Sequence, residues 1–194
     1  MENKKLNEQQ SLELITRMIN TTRERVERNA GMPFVIMGYL TTFVSIAVWT
    51  ALTLTANYHW QYMWFVIPAG GLGYWLWRRN KEQQKEVMTY VDRIVGYVWN
   101  TLGVVGFVLS MYSIFVRIPI LFIIILLMGL GTALTGLITR FHFCTVAGLL
   151  SALILAPLCL FVTNIDSILI FAAVFVVMMV IPGHILNYKS NRQQ

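Results

Sequence analysis

The sequence predicts an all-α integral membrane protein, a bundle of six transmembrane helices arranged as three hairpins and preceded by an amphipathic cytoplasmic helix. Three observations carry this expectation. Of the 194 residues, 57% are apolar and only 12% are charged, a balance outside the usual range of soluble globular chains. The apolar residues are gathered into long runs, with no Asp, Glu, Lys or Arg between Met32 and Trp77, Ile94 and Val116, Ile118 and Thr139, or Ser167 and Tyr188. A helix needs about 20 apolar residues to cross a hydrocarbon layer about 30 Å thick, so each run is long enough to span and the first is long enough to span twice. The basic residues, finally, alternate between the connecting segments as an even number of spans requires. A soluble bundle of such helices would have to bury every helix face and leave almost no polar surface for water.

In chain order, residues 1–31 read as a cytoplasmic amphipathic helix. Asn7 and Gln10 resemble a capping pair, Leu12, Ile15, Ile19 and Val26 recur at three- and four-residue spacing, and Glu13 with Arg17, Arg23 with Glu27 and Glu24 with Arg28 are four-residue ion pairs. This helix is expected to stop near Gly31 and Pro33. Its narrow stripe suits the lipid headgroup layer, a partner helix, or the ends of its own bundle. The six-helix domain, 32–188, then comprises spans 32–54, 60–77, 94–115, 118–139, 144–162 and 167–186. The polar turn Thr55 to His59 separates the first pair, and a polar cytoplasmic connector, 78–93, follows the second. Arg117 with Pro119, then Arg140 to His142, then Thr163 to Asp166 mark the remaining turns, and 189–194 form a cytoplasmic tail.

Orientation follows from the Lys and Arg residues. Of the fifteen, all but Arg117 fall in the N-terminal tail, the 78–93 connector, the turn at Arg140 or the C-terminal tail, which places both termini in the cytoplasm. Trp49, Tyr58, Trp60, Tyr62 and Trp64 gather at the outer surface, and Trp75, Trp77, Tyr97, Trp99 and Tyr188 toward the inner one. About 30 mostly polar residues precede the first apolar run, in place of the short basic segment of a cleavable signal, so the first span is expected to act as its own insertion signal. The net charge of +6 is accounted for by this asymmetry and by a basic face near anionic lipid, and no direct nucleic-acid binding is expected. Cys144 and Cys159 share one span about 22 Å apart, too far for a mutual disulfide, and read as small apolar fillers.

No catalytic, cofactor or metal motif emerges. No ionisable residue lies deep in a span, which argues against a pump with a central carboxylate. His59, His142 and His184 have no second ligand four residues away, and Ser45 and Ser151 have no nearby base. The second, fourth and sixth spans each carry Gly or Pro within about a dozen residues of their cytoplasmic basic residue, at Pro68, Gly70, Gly71 and Gly73, at Gly129, Gly131 and Gly136, and at Pro182 and Gly183. Such breaks point to a solute pathway or are ordinary kinks. Thr132 and His184 complete the candidate pathway, while Arg78 and Arg79, with the apolar stripe of the first helix, are candidate partner or lipid contacts. Gly106 with Ser110, Gly129 with Ala133, Thr132 with Gly136, and Gly148 with Ala152 and Ala156 are small residues four apart that let backbones approach, within the bundle or in a homo-oligomer. Asn100, Thr132, Thr135 and Thr139 are suited to hydrogen bonds across helices.

The stretches MPFVIMGYLTTFVSIAVW (32–49), TYVDRIVGYVW (89–99), PILFIIILLMGLGTALTGLITRF (119–141) and IPGHILNYK (181–189), with QSLELITRMI near the N-terminus, resemble a family of small multi-pass membrane proteins from Bacteroidetes. The resemblance implies a bacterial inner-membrane protein encoded beside a winged-helix transcriptional regulator, with no assigned activity. Gly131, Thr132, Gly136, Pro182, Gly183 and His184 carry the family's motifs without an assigned role. Two functions remain open. One is a non-enzymatic sensor or tether that works through its cytoplasmic helix and basic face toward a protein partner. The other is a small-solute or lipid transporter or channel lined by the Gly and Pro breaks.

Overall fold

The computed structural model describes residues 8–82, 90–162 and 164–191, and among them there is no strand. Helix α1 covers Glu8–Thr55. A 3-10 helix, Tyr58–Phe65, leads into α2, Val66–Glu82. Then come α3, Tyr90–Phe115, and α4, Ile120–Ile138, followed by α5, His142–Phe161, and α6, 167–191. Five stretches are long and apolar enough to cross a membrane, namely Gly31–Thr55, Arg93–Phe115, Ile120–Ile138, His142–Phe161 and Ser167–Tyr188.

Two expectations are corrected. The first helix does not stop near Gly31 and Pro33 but runs through both as one helix of 48 residues. Proline removes a single hydrogen bond, and Gly31 does not adopt the left-handed conformation of a helix-ending glycine. Gly31 is instead buried where a Cβ would collide with Asn187 and Leu186, so it is there for close packing.

The second correction concerns 60–77, which is not one regular helix. Its first part is 3-10 helix, begun by Asn57, whose side-chain oxygen accepts the His59 N–H at 3.0 Å. The change to α geometry comes just before Pro68, which falls in the first turn of α2, where a missing N–H costs nothing. A 3-10 helix rises about 2.0 Å per residue against 1.5 Å. Residues 58–77 therefore extend about 34 Å even though the α-helical part is short.

Close contacts fix how the helices run. Gly31 lies against Leu186, Gly38 against Met179 and Val180, and Trp49 Nε1 donates to Asp166 Oδ1 at 3.1 Å, so α1 and α6 are antiparallel along their shared length. In α4 and α5, Gly129 meets Ala152, Ala133 meets Gly148 and Gly136 meets Thr145, again antiparallel. Helix α3 follows α4, with Leu102 on Gly131 and Ile124 on Gly106, and α2 follows α1, with Gly70 on Leu40 and Gly71 on Met37. Residues near 31, 140 and 187 thus share one end, the tail end, and the turns at 56, 117 and 164 share the other. Arg140 and Arg117 fall at opposite ends, the grouping that the basic residues require.

Both α1 and α4 end on a left-handed residue that is not glycine, Ala56 (φ 51) and Arg140 (φ 56). Beyond α4, Phe141 N–H bonds Gly136 O at 2.8 Å and Arg140 N–H bonds Leu137 O at 3.2 Å, the paired bonds of a Schellman ending. The core lies between α1, α4, α5 and α6. Phe34, Ile125, Ala156, Phe171, Phe175 and Met178 form its centre, and Val44, Val48, Leu52 and Ile168 continue it toward the far end. The three hairpins are therefore consecutive in the chain without being separate packing units. The tightest seams, α1 with α6 and α4 with α5, join residues of different hairpins.

Candidate functional site

The most unusual backbone lies halfway along two apolar helices. In α5 the turn Ser151–Leu155 is π-helical, with the Ala156 N–H on Ser151 O. In α6 the turn Val176–Val180 is π-helical, with the Ile181 N–H on Val176 O. Each is followed at the same distance by a proline, Pro157 and Pro182. Proline has no N–H, and its ring collides with the carbonyl four residues back. A π turn takes one more residue into the helix and relieves that collision. The Ala152 carbonyl is left with neither of its helical donors, since the Ala156 N–H is turned to Ser151 and the next position is Pro157. Val177 stands in the same relation to Ile181 and Pro182.

The two turns lie at neighbouring levels of the bundle. Cys159 Sγ approaches Ser167 O at 4.0 Å at the far end of the α5 and α6 pair, and Phe141 and Cys144 pack with Leu186 at the tail end. Counting along the two antiparallel helices from these contacts puts Ser151 at about the level of Val177. The Ser151 side chain is fully buried, and its hydroxyl is the one buried side-chain polar atom among the described residues without a hydrogen-bond partner. A buried hydroxyl left alone costs about 1–3 kcal/mol.

Other hydroxyls surround this level. Thr41 and Ser45 of α1 and Thr132 and Thr135 of α4 are all buried. Ser45 donates to Thr41 O at 2.7 Å, Thr132 to Met128 O at 2.9 Å and Thr135 to Gly131 O at 2.8 Å. Thr135 also accepts the Trp99 Nε1 proton at 3.0 Å, which ties α3 to α4. A hydroxyl that donates along its own helix keeps lone pairs for another group. The middle of the bundle is therefore rich in oxygen acceptors but carries no Asp, Glu, Lys or Arg. Neutral hydroxyl oxygens can bind a water, a small neutral polar solute or a small cation.

The candidate pathway residues do not meet in one place. Gly70 and Gly71 seat α2 on α1, Gly131 receives Leu102 and Trp99 of α3, and Gly136 receives Thr145 and Cys144 of α5. Helices α2 and α4 pass unbroken through their glycines and, in α2, through Pro68. These residues act here as close-packing positions. Pro182 and Gly183 are buried, with Gly183 against Val35 and the Gly31 carbonyl. His184 is exposed at the tail end, its Nε2 3.0 Å from the Tyr39 hydroxyl. Thr132 is fully buried, its hydroxyl bonded to Met128 O. The side chains of Leu12, Ile15, Ile19, Val26, Arg78 and Arg79 lie outside the described residues. Pro157 escaped the sequence reading, and Ser151 entered it only as a nucleophile without a base. The available signal was a second proline, deep in an apolar run, at a place matching Pro182. Both cysteines are free and buried, and no group of three His, Cys, Asp or Glu side chains among the described residues is placed to hold a metal.

Fold and interior together define a class, an all-helical multi-helix bundle compatible with a membrane, with an uncharged polar middle. Comparison with protein-family models, with curated proteins and with solved structures finds no match.

Proposed function

We propose that the chain is a non-enzymatic six-span protein of a bacterial inner membrane, with both termini cytoplasmic, that senses or tethers through its N-terminal helix toward a cytoplasmic protein partner. The observation that supports this reading is the continuity of α1, whose apolar part packs against the π turn of α6 at Gly38 and whose helix extends unbroken back to Glu8. A rearrangement at mid-bundle thus has a stiff route to the N-terminal segment. The experiment is deletion of residues 1–30, followed by purification of the tagged chain from its native membrane in mild detergent. The truncated chain is expected to remain in the membrane and to lose a specific protein that the full chain retains. Retention of the same protein by both chains, or by neither, rejects the reading.

A second reading, transport of a small solute, is favoured by the paired π turns and the unpartnered Ser151 hydroxyl. Under it, Ser151→Ala lowers flux several-fold in reconstituted vesicles while the bundle melts as before. Gly70→Leu and Gly131→Leu are poorer tests, because each would strike a packed neighbour, Leu40 or Leu102.

A further inference from the structure

Helix α3 is packed unlike the other apolar helices. Only 6% of its most apolar stretch is buried, against 56% for α6. It meets α4 through Trp99, Leu102 and Gly106, with Trp99 also set edge-on to Phe34 of α1. Beside that contact runs a second face, made of Gly96, Asn100, Gly103 and Phe107 at helical spacing, all exposed. Nothing lies within 4 Å of the place a Cβ would take on Gly96 or Gly103. The Asn100 amide between them makes no hydrogen bond among the described residues.

In water this would need no comment. On the membrane reading, on which this inference rests, Asn100 lies seven residues beyond Arg93 and so about 10 Å into the hydrocarbon layer. An amide there finds no donor or acceptor in lipid, and such groups are turned toward another helix. Two glycines one turn to either side allow a helix to approach closely enough for an amide to be reached. An amide is its own complement, because each supplies a donor and an acceptor, so the simplest occupant of this face is the same face of a second molecule.

We propose that two copies of the chain associate in the membrane through α3, with Gly96 and Gly103 in close contact and the two Asn100 amides hydrogen-bonded across a twofold axis. The pairing is isologous, so it closes as a dimer.

The test is disulfide trapping in native membranes, with copper phenanthroline as oxidant. Wild type, whose two cysteines are buried, is the blank. Gly103→Cys, at a position with open space, is expected to give a dimer band at least fivefold stronger than Val105→Cys, an exposed residue on the opposite side of α3. Asn100→Leu in the Gly103→Cys background should reduce that band at least threefold. The unmodified chain in mild detergent should have the mass of two copies and Asn100→Leu a larger monomer fraction. A chain resistant to alkaline carbonate extraction that forms no Gly103→Cys dimer, and whose unmodified form is monomeric, overturns the dimer alone. Release of the chain by carbonate overturns the membrane reading and the dimer with it.

Discussion

A glycine's worth in this bundle depends on what its missing side chain would have struck. At Gly148 a Cβ would meet the backbone of Ala133 and the Gly129 carbonyl, neither of which can turn aside, whereas at Gly73 it would meet nothing within 4 Å. Gly148→Ala is therefore expected to destabilise the bundle by about 1–3 kcal/mol through overpacking. Gly73→Ala should be neutral or stabilising by about 0.4–1 kcal/mol, because alanine restricts the unfolded chain. Reversible unfolding in mixed micelles, followed by circular dichroism, checks both. Equal losses at the two positions would mean that backbone contact between α4 and α5 is not what the glycines provide. The sequence marks Gly129, Ala133, Gly136, Gly148 and Ala152 as small residues suited to close approach, and these five do form the α4–α5 seam. It did not separate them from Gly73 or Gly103, because composition carries no record of which face of a helix has a neighbour.

At the scale of elements, hydropathy located five of the helices well, since a long apolar run with a polar turn at each end has few alternatives as a structure. It failed where pitch changed. Nothing in YHWQYMWF distinguishes a 3-10 from an α-helical path, and the choice is made jointly by the Asn57 cap, Pro68 and the fit of Met63 and Trp64 against the cluster of Val44, Val48, Leu52 and Ile168. The π turns were missed for a related reason. A proline in an apolar run reads as a break or kink, while the extra residue that absorbs it becomes visible only in the hydrogen bonds upstream. The 58–82 segment carries the parity of the whole bundle. If it crosses the membrane, single cysteines introduced at Asn57 and at Asn80 should differ in labelling by a membrane-impermeant maleimide on intact spheroplasts, with Asn57 labelled and Asn80 protected. Equal labelling would mean that the segment does not carry the chain from one end of the bundle to the other, against the shared end of residues 31, 140 and 187.

At the scale of the whole molecule, α6 is the element the rest depends on, because it is the most buried helix and supplies Phe171, Phe175 and Met178 to the core. A chain ending after Val162 keeps the α4–α5 seam but leaves Gly31, Gly38 and the Trp49 indole N–H without their partners. Its first helix is expected to be cut by protease near Gly38 in detergent at least tenfold faster than in the full chain, while the α4–α5 region stays resistant. Similar rates would mean that α1 is held mainly by α2. The same seam has a bearing on how the protein is made. Its two halves are far apart in the chain, with roughly 130 residues between Thr55 and Tyr188, and ribosomes add about 5–20 residues each second. The first helix thus waits roughly 7–26 s with its glycine face open for the last one to be synthesised, and during that interval whatever shields the face is as much a determinant of yield as the strength of the finished fold.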